Sequence, residues 1–313
     1  MNSERSDARI RDWLNQIDAR LKTIIDKTDY TDEFKAILEY ALFPGGKRLR
    51  PILFLEWYGL YAPPNDDALD FACGIELMHS YSLIHDDMPC MDNDDIRRGK
   101  PTVHKRYGEC NALLAGDALL NLAYRTMIAS AGDVRLGLEV VSELAGGSGL
   151  IGGQYLDLNT KPATLEELVE MYIMKTGALI YIACTCGYMF AHRGEFDNAG
   201  EYYGEMRSYL KERRKYVNYP GGIVGSNGGE PPSEFGAVRR FGYAFGVAFQ
   251  IYDDISEYIG GEGIGNPSIL RFLELDEAKQ LLNSLLDYAL GGLSVIDGDT
   301  SHLSELARKL VIV

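Results

Sequence analysis

Apolar residues recur along the chain at helical spacing, and the two-residue alternation expected of strands is nearly absent. The pattern breaks at proline. No Pro occurs from Thr102 to Lys161, from Ala163 to Tyr219 or from Ser233 to Asn266, and these stretches are rich in Ala, Leu, Met, Glu and Tyr. Proline gathers instead at Pro44, Pro51, Pro63, Pro64, Pro89, Pro101, Pro162, Pro220, Pro231, Pro232 and Pro267. Because proline ends helices and sets turns, an all-α chain is predicted. Its helices fall near 7–28, 32–43, 49–61, 66–88, 109–131, 134–151, 164–193, 198–216, 234–259, 274–291 and 301–310. Asp133 and Thr164 are expected N-caps, the second with Glu167 at capping-box spacing. Asn111–Ala131 and Gly177–Ala191 are apolar nearly all round, as helices inside a large core are. No repeat or linker divides the chain, so a single domain is expected over 1–313. Only 201–234 stands apart. There KERRK (Lys211–Lys215) runs into YPGGIVGSNGGEPPSE, whose glycines and prolines predict an inserted or mobile loop.

Composition narrows the function. A chain of 313 residues can bury roughly three quarters of its unfolded surface. The 46% hydrophobic and 25% charged fractions exclude a disordered chain. Asp and Glu number 46 against 31 Lys and Arg, a net charge of −15. That balance argues against nucleic acid as a partner and against anionic membrane surfaces. An anionic substrate stays open if cations or a local basic pocket intervene. The N-terminus carries no apolar segment of the secretory kind. The longest apolar run, Ala178–Ala191, falls short of the ~20 residues of a membrane span. Cys73, Cys90, Cys110, Cys184 and Cys186 form no CxxC pair and fit a reducing compartment. A cytoplasmic protein without a membrane span is expected.

Three constellations carry chemistry. Asp86-Asp87-Met-Pro-Cys-Met-Asp92, followed by Asn93, Asp94 and Asp95, ends an apolar helix. Carboxylates this dense repel unless cations neutralise them, and a hard divalent ion that recruits substrate phosphate is the natural partner. Taken alone, the run reads more readily as a solvated acidic loop than as a metal site. An EF-hand lacks its glycine and distal Glu here. A second cluster, Gln250-Ile-Tyr-Asp253-Asp254-Ile-Ser-Glu257, ends another apolar helix and places Asp253 and Glu257 on one face. The third set is basic: Gly45-Gly46-Lys47-Arg48-Leu49-Arg50-Pro51, Arg97-Arg98-Gly99-Lys100 and Lys175-Thr176-Gly177. Arg suits bidentate phosphate binding and Lys acts as a point charge. His79 and His85 precede the first cluster, and a His on an apolar helix is commonly a satisfied core residue. Asp117 reads as a buried, hydrogen-bonded Asp. Gln154 and Asp157, in GGQYLDL, are candidates to face the same cavity.

In this order, GGKRLRP, HSYSLIHDDMPCMDNDDIRRGKPT, GDALL, GGQYLDL, KTGAL and FQIYDD resemble the trans-prenyltransferases, the short-chain isoprenyl diphosphate synthases. The resemblance spans nearly the whole chain and weakens after Glu257. It implies an all-α, single-domain isoprenoid synthase-type bundle around a deep central cavity, and a homodimer. It implies isopentenyl diphosphate and an allylic diphosphate as substrates. Mg²⁺ is the implied cofactor, about three ions per active site, replaceable by Mn²⁺. By the same resemblance Asp86, Asp87 and Asp92 hold Mg²⁺ against the allylic diphosphate, and Asp253, Asp254 and Glu257 hold a further ion. Arg97, Lys175, Thr176 and Gln250 contact the allylic diphosphate. Gly46, Lys47, Arg50, His79 and Arg98 form the isopentenyl diphosphate site. Asp86, Asp87, Lys175 and Asp253 carry catalysis. Tyr81, five residues before Asp86, and Ser82 set chain length, and with the longer motif at Pro89-Cys90 they favour the fifteen-carbon product.

The sequence also departs from the family pattern. Glu257 stands where the family has a third Asp. The family's lysines after this motif are absent, since Tyr258–Asn266 reads YIGGEGIGN. KERRK is a candidate source of the missing charge. Geranylgeranyl diphosphate remains an alternative product, and a terpene-synthase-like or weakly active paralogue, or partner subunit, an alternative role. GGKRLRP argues against a cyclase. An HD-type metal phosphohydrolase, from His85-Asp86, leaves the second acidic cluster unexplained. A non-enzymatic acidic scaffold would bind no pyrophosphate with metal.

Overall fold

The computed structural model describes residues 2–130, 135–192, 233–261, 263–265 and 267–311. The expected cap at Asp133, the helix at 198–216, KERRK and the 201–234 segment up to residue 232 lie outside them. The described chain is all-α apart from one short ribbon. Its contacts group into two compact units, Met1–Leu55 with Pro63–Val134, and Glu56–Ala62 with Arg135–Val313.

The first unit holds α1 (Asn2–Asp26), α2 (Asp32–Leu42), the start of α3 (Leu49–Gly59) and α4 (Asp66–Asp86). The ribbon β1 (Ile96–Arg97) and β2 (Lys100–Pro101), α5 (Val103–Tyr107) and α6 (Glu109–Ala129) complete it. Asn65 caps α4 by accepting from Ala68 N at 3.0 Å, and Asp66 and Asp67 suit the positive helix start. α4 buries Phe71, Ile75, Leu77, Met78 and Ile84, and α6 packs along it with Ala112, Ala115, Leu119, Leu122 and Met127. Each large side chain so buried stabilises by about 1.5–3 kcal/mol. α6 is not buried all round: Leu113, Leu114 and Ile128 stay exposed.

The ribbon has a local cause that helical periodicity hides. Arg97 pairs with Lys100, and the two residues between them, Arg98 (φ 53°) and Gly99 (φ 75°), are both left-handed. Such a turn matches the twist of a tight hairpin.

In the second unit α7 (Arg135–Ala145) and α8 (Leu150–Asn159) precede α9 (Leu165–Tyr172), a π-helical turn (Ile173–Gly177) and α10 (Ala178–Ala191). After them come α11 (Glu234–Ile259), a 3₁₀ turn (Ile269–Arg271), α12 (Leu275–Gly291), a second 3₁₀ turn (Gly292–Val295) and α13 (Ser301–Leu310). Thr164 caps α9 as expected, while Glu167 reaches back to Ala163 N, one residue before the cap. α10 is buried from Ala178 to Phe190 and packs on α11. The contact is close because Gly246 faces the π turn; a Cβ there would lie 2.8 Å from Gly177 Cα. Leu165–Ala191 is long and apolar enough to cross a membrane, yet 89% of its most apolar window is buried inside the protein.

The predicted helix at 134–151 is corrected. α7 ends at Ala145, and Gly149, at φ −143° and ψ −119°, is the N-cap from which α8 starts, so GGQYLDL lies on a helix of its own.

Candidate functional site

In the first unit, the acidic motif begins where α4 ends. The chain then folds back on the helix terminus. Met91 N donates to Met88 O at 2.9 Å, Asn93 N to Met88 O at 3.1 Å, and Asp92 N to Asp86 O at 2.9 Å. Asn93 closes the loop at φ 56°. The loop thus seats Asp92 against Asp86, although Pro89 and Cys90 lie between them. Asp86 is half-buried and Asp92 exposed.

Asp87 differs from both. It is 4% exposed, and its Oδ1 accepts from Arg97 Nε at 2.6 Å, with Arg97 Nη2 also at 2.6 Å. Burial pushes the Asp87 carboxyl up from the usual carboxylate range, and Arg97 offsets part of that. Burial also works against the Arg97 charge, but Asp87 outweighs it and holds that pKa up.

The GGKRLRP cations divide by direction. Lys47 is exposed and Arg50 half-buried, but Arg48 turns inward at φ 49°. Its Nε donates to Asp18 at 2.9 Å, Nη1 to Glu76 at 2.8 Å and Nη2 to Leu42 O at 2.7 Å. Arg48 therefore braces α1, the end of α2 and α4. Gly46 leaves room for Arg98, whose Nη2 would sit 2.8 Å from a Cβ at that position. Burial lowers the pKa of His79, and the cations Arg50 and Arg98 lower it further, so the imidazole is neutral. A small, open pocket lies between α2, α4 and the ribbon, with Tyr40, Leu83, Asp87, Arg98, Lys100 and Thr102 in its wall. Tyr81 is 6% exposed, its ring edge-on to His85 at 5.8 Å, and burial pushes its hydroxyl up to about 12. Ser82 Oγ donates to His79 O at 2.9 Å.

In the second unit, three sequence-distant motifs meet. Lys175 pairs with Asp157 of α8. Thr176 Oγ1 donates to Gln250 Oε1 at 2.6 Å. Gln250 Nε2 in turn donates to Asp254 Oδ1 at 3.1 Å. Gln154 has a buried Nε2 without a hydrogen-bond partner. Asp254, 6% exposed, also accepts from Tyr172 and from Ile269 N at 2.7 Å. Burial raises its pKa, and these donors counter the rise. Burial and Asp254 together hold the Tyr172 hydroxyl far above its ordinary value. Asp253 is half-buried and Glu257 exposed. The motif pattern did not mark Tyr172. The available signal was that Tyr172 sits three residues before Lys175 on one helical path.

Among the described residues, no three His, Cys, Asp or Glu side chains converge into a ready metal cage. Carboxylate oxygens near solvent at Asp86, Asp92, Asp253 and Glu257 instead suit Mg²⁺, which keeps its waters and is held through a few carboxylates and substrate phosphates.

The polyprenyl synthetase family model matches residues 31–210. Farnesyl diphosphate synthase of Bacillus subtilis is 33% identical over 81% of this chain and 76% of its own length. Geranylgeranyl diphosphate synthase of Cyanophora paradoxa is 36% identical over 77% of this chain and 71% of its own. Among solved structures, geranyltransferase from Legionella pneumophila superposes with a TM-score of 0.79 at 26% identity, over 99% of this chain and 98% of that one. An FPP/GFPP synthase from Zymomonas mobilis gives 0.76 at 27% identity, over 98% and 99%.

Proposed function

The chain belongs to the polyprenyl synthetase family and is a prenyltransferase, and from that premise we propose that it is a short-chain trans-isoprenyl diphosphate synthase. It joins isopentenyl diphosphate head-to-tail to dimethylallyl or geranyl diphosphate and makes farnesyl diphosphate. The observation that carries this reading is the Lys175–Asp157 and Thr176–Gln250 contacts, which gather polar groups from three motifs on otherwise apolar helices. Such a polar patch has no packing reason to exist and suits a phosphate-bearing ligand.

In the proposed reaction the allylic carbon–oxygen bond breaks and its electron pair leaves with pyrophosphate. The double bond of isopentenyl diphosphate attacks the allylic cation, and the released pyrophosphate takes the proton lost from the adduct. Arg97, Lys175, Thr176 and Gln250 orient the allylic diphosphate and stabilise charge on the leaving group. Gly46, Lys47, Arg50, His79 and Arg98 seat isopentenyl diphosphate. A neutral His79 donates or accepts one hydrogen bond there without adding charge. Asp86, Asp92, Asp253 and Glu257 would hold Mg²⁺, which when bound adds positive charge at the departing diphosphate. Buried apolar walls keep water from the cation. The Tyr81 ring, with Ser82 beside it, limits the growing chain, since one helical turn rises only ~5.4 Å.

Residues 1–313 serve as one catalytic domain in this reading, in the cytoplasm. A homodimer would cover Leu113, Leu114 and Ile128 of α6. A second reading, a weakly active paralogue or partner subunit, draws on one fact: Tyr258–Leu270 holds no Lys or Arg.

The test is to incubate the purified protein with Mg²⁺, labelled isopentenyl diphosphate and each allylic primer, then size the products. A metal-dependent fifteen-carbon product is expected. A twenty-carbon product would replace the Tyr81 assignment, and no elongation by folded protein would install the paralogue reading.

A further inference from the structure

Both acidic motifs divide in the same way. The first carboxylate (Asp86, Asp253) is half-buried, and the last (Asp92, Glu257) is exposed. The second is buried and already bonded, Asp87 to Arg97 and Asp254 to a larger set. The Asp254 case carries more. An ionised carboxylate offers about four lone-pair sites. Asp254 takes hydrogen bonds from the Tyr172 hydroxyl, Gln250 Nε2 and Ile269 N. Protein donors take most of its acceptor capacity, at 6% exposure. A divalent cation could reach it only by displacing several of them and uncovering the site.

The donors are not scattered. Gln250 sits one turn earlier on α11 and holds Thr176 of the π turn at 2.6 Å. Tyr172 is the last residue of α9 and leads into that same turn. Ile269 opens the 3₁₀ turn that follows the second motif. One carboxylate thus ties together the end of α9, the Gln250–Thr176 pair and the chain after α11.

We infer that Asp254 is a positioning residue, with Tyr172 as its partner, rather than a cation ligand. Its carboxylate sets the orientation of Gln250, and through it Thr176, for the allylic diphosphate. The inference deepens the proposed function and rests on it for the identity of that ligand. Asp253 and Glu257 remain the cation ligands of this motif.

The test uses full-length protein and four forms: wild type, Asp253→Asn, Asp254→Asn and Tyr172→Phe. Tyr172→Phe removes one hydroxyl and keeps the ring, so it stands even if Asp254→Asn misfolds; circular dichroism checks each fold. The first readout is Mn²⁺ binding by electron paramagnetic resonance, at pyrophosphate concentrations that saturate every form, so that a weaker diphosphate contact does not pass for a lost metal ligand. Asp254→Asn and Tyr172→Phe should bind within about twofold of wild type, while Asp253→Asn should lose about tenfold or more. An Asp254→Asn loss equal to that of Asp253→Asn would overturn the inference. The second readout is steady-state kinetics. Tyr172→Phe should raise KM for the allylic diphosphate by about tenfold, the worth of one hydrogen bond to a charged group, with KM for isopentenyl diphosphate unchanged. An unchanged allylic KM would equally overturn it. If folded wild type condenses nothing, the prenyltransferase reading falls on that result alone, and Mn²⁺ binding still decides whether Asp254 is a ligand.

Discussion

At the scale of single residues, direction matters more than identity. Lys47, Arg48 and Arg50 look equivalent in GGKRLRP, yet Arg48 is 2% exposed and committed to Asp18, Glu76 and Leu42 O. Glu76 is also 2% exposed, so Arg48→Ala strands a buried carboxylate. Breaking a buried pair from one side costs about 3–5 kcal/mol. Urea unfolding should show that loss, and Arg48→Met combined with Glu76→Gln should recover part of it. If the double variant is no better than the single, the stranded charge is not the cause. His79 gives a pH test. Its folded pKa is depressed, by burial first and then by Arg50 and Arg98. The neutral ring therefore contributes stability that is complete above the unfolded value of about 6.5 and is lost as pH falls below it. Between about pH 7.5 and about pH 5, His79→Gln should flatten the fall in unfolding free energy read from urea titrations, by up to about 1.4 kcal/mol per pH unit below 6.5. Equal slopes in both proteins would remove His79 from this role. The sequence offered the cations and the His as candidates. It could not show that Arg48 takes a left-handed backbone angle and turns away from the others.

At the scale of elements, proline punctuation was a good guide where helices are long. The expected 234–259 and 301–310 coincide with α11 and α13. It failed where glycine alone does the work. Gly146-Gly147-Ser148-Gly149 breaks what reads as a single helix, and the hairpin at Arg98-Gly99 and the π turn at Ile173–Gly177 leave no periodic trace. These irregular pieces carry much of the candidate site: Arg98 lies in the hairpin turn, and Lys175 and Thr176 lie in the π turn. α8 lies close against the π turn: a Cβ on Gly153 would meet Lys175 N at 2.3 Å, and nothing soft is there to yield. Gly153→Ala should therefore push the turn off α8, costing about 1–3 kcal/mol and raising KM for the allylic diphosphate. Gly147→Ala, with nothing within 4 Å, is the control and should leave thermal midpoint and KM unchanged. Equal behaviour of the two variants would show that the α8 contact does not place Lys175.

At the scale of the whole molecule, the question is how a chain of net charge −15 takes a polyanionic substrate. Long-range attraction is unavailable, so binding must come from local cations and from metal ions brought to the carboxylates. The acidic motifs were legible in the sequence because charge is dense there. Which carboxylates stay open was not, because Asp86 and Asp87 differ only in the burial that folding imposes. With no cage of three ligands among the described residues, Mg²⁺ alone has few protein contacts to gain, and pyrophosphate alone meets the negative charge of the acidic motifs. Each supplies what the other lacks, so their binding should be strongly coupled. Ligand that binds only the folded protein raises its melting point by mass action. Differential scanning should accordingly find small shifts with Mg²⁺ or pyrophosphate separately and a shift well above their sum with both, abolished by chelation. If Mg²⁺ alone gave the full shift, the carboxylates would form a metal site in their own right, and the substrate phosphates would no longer be needed to complete it.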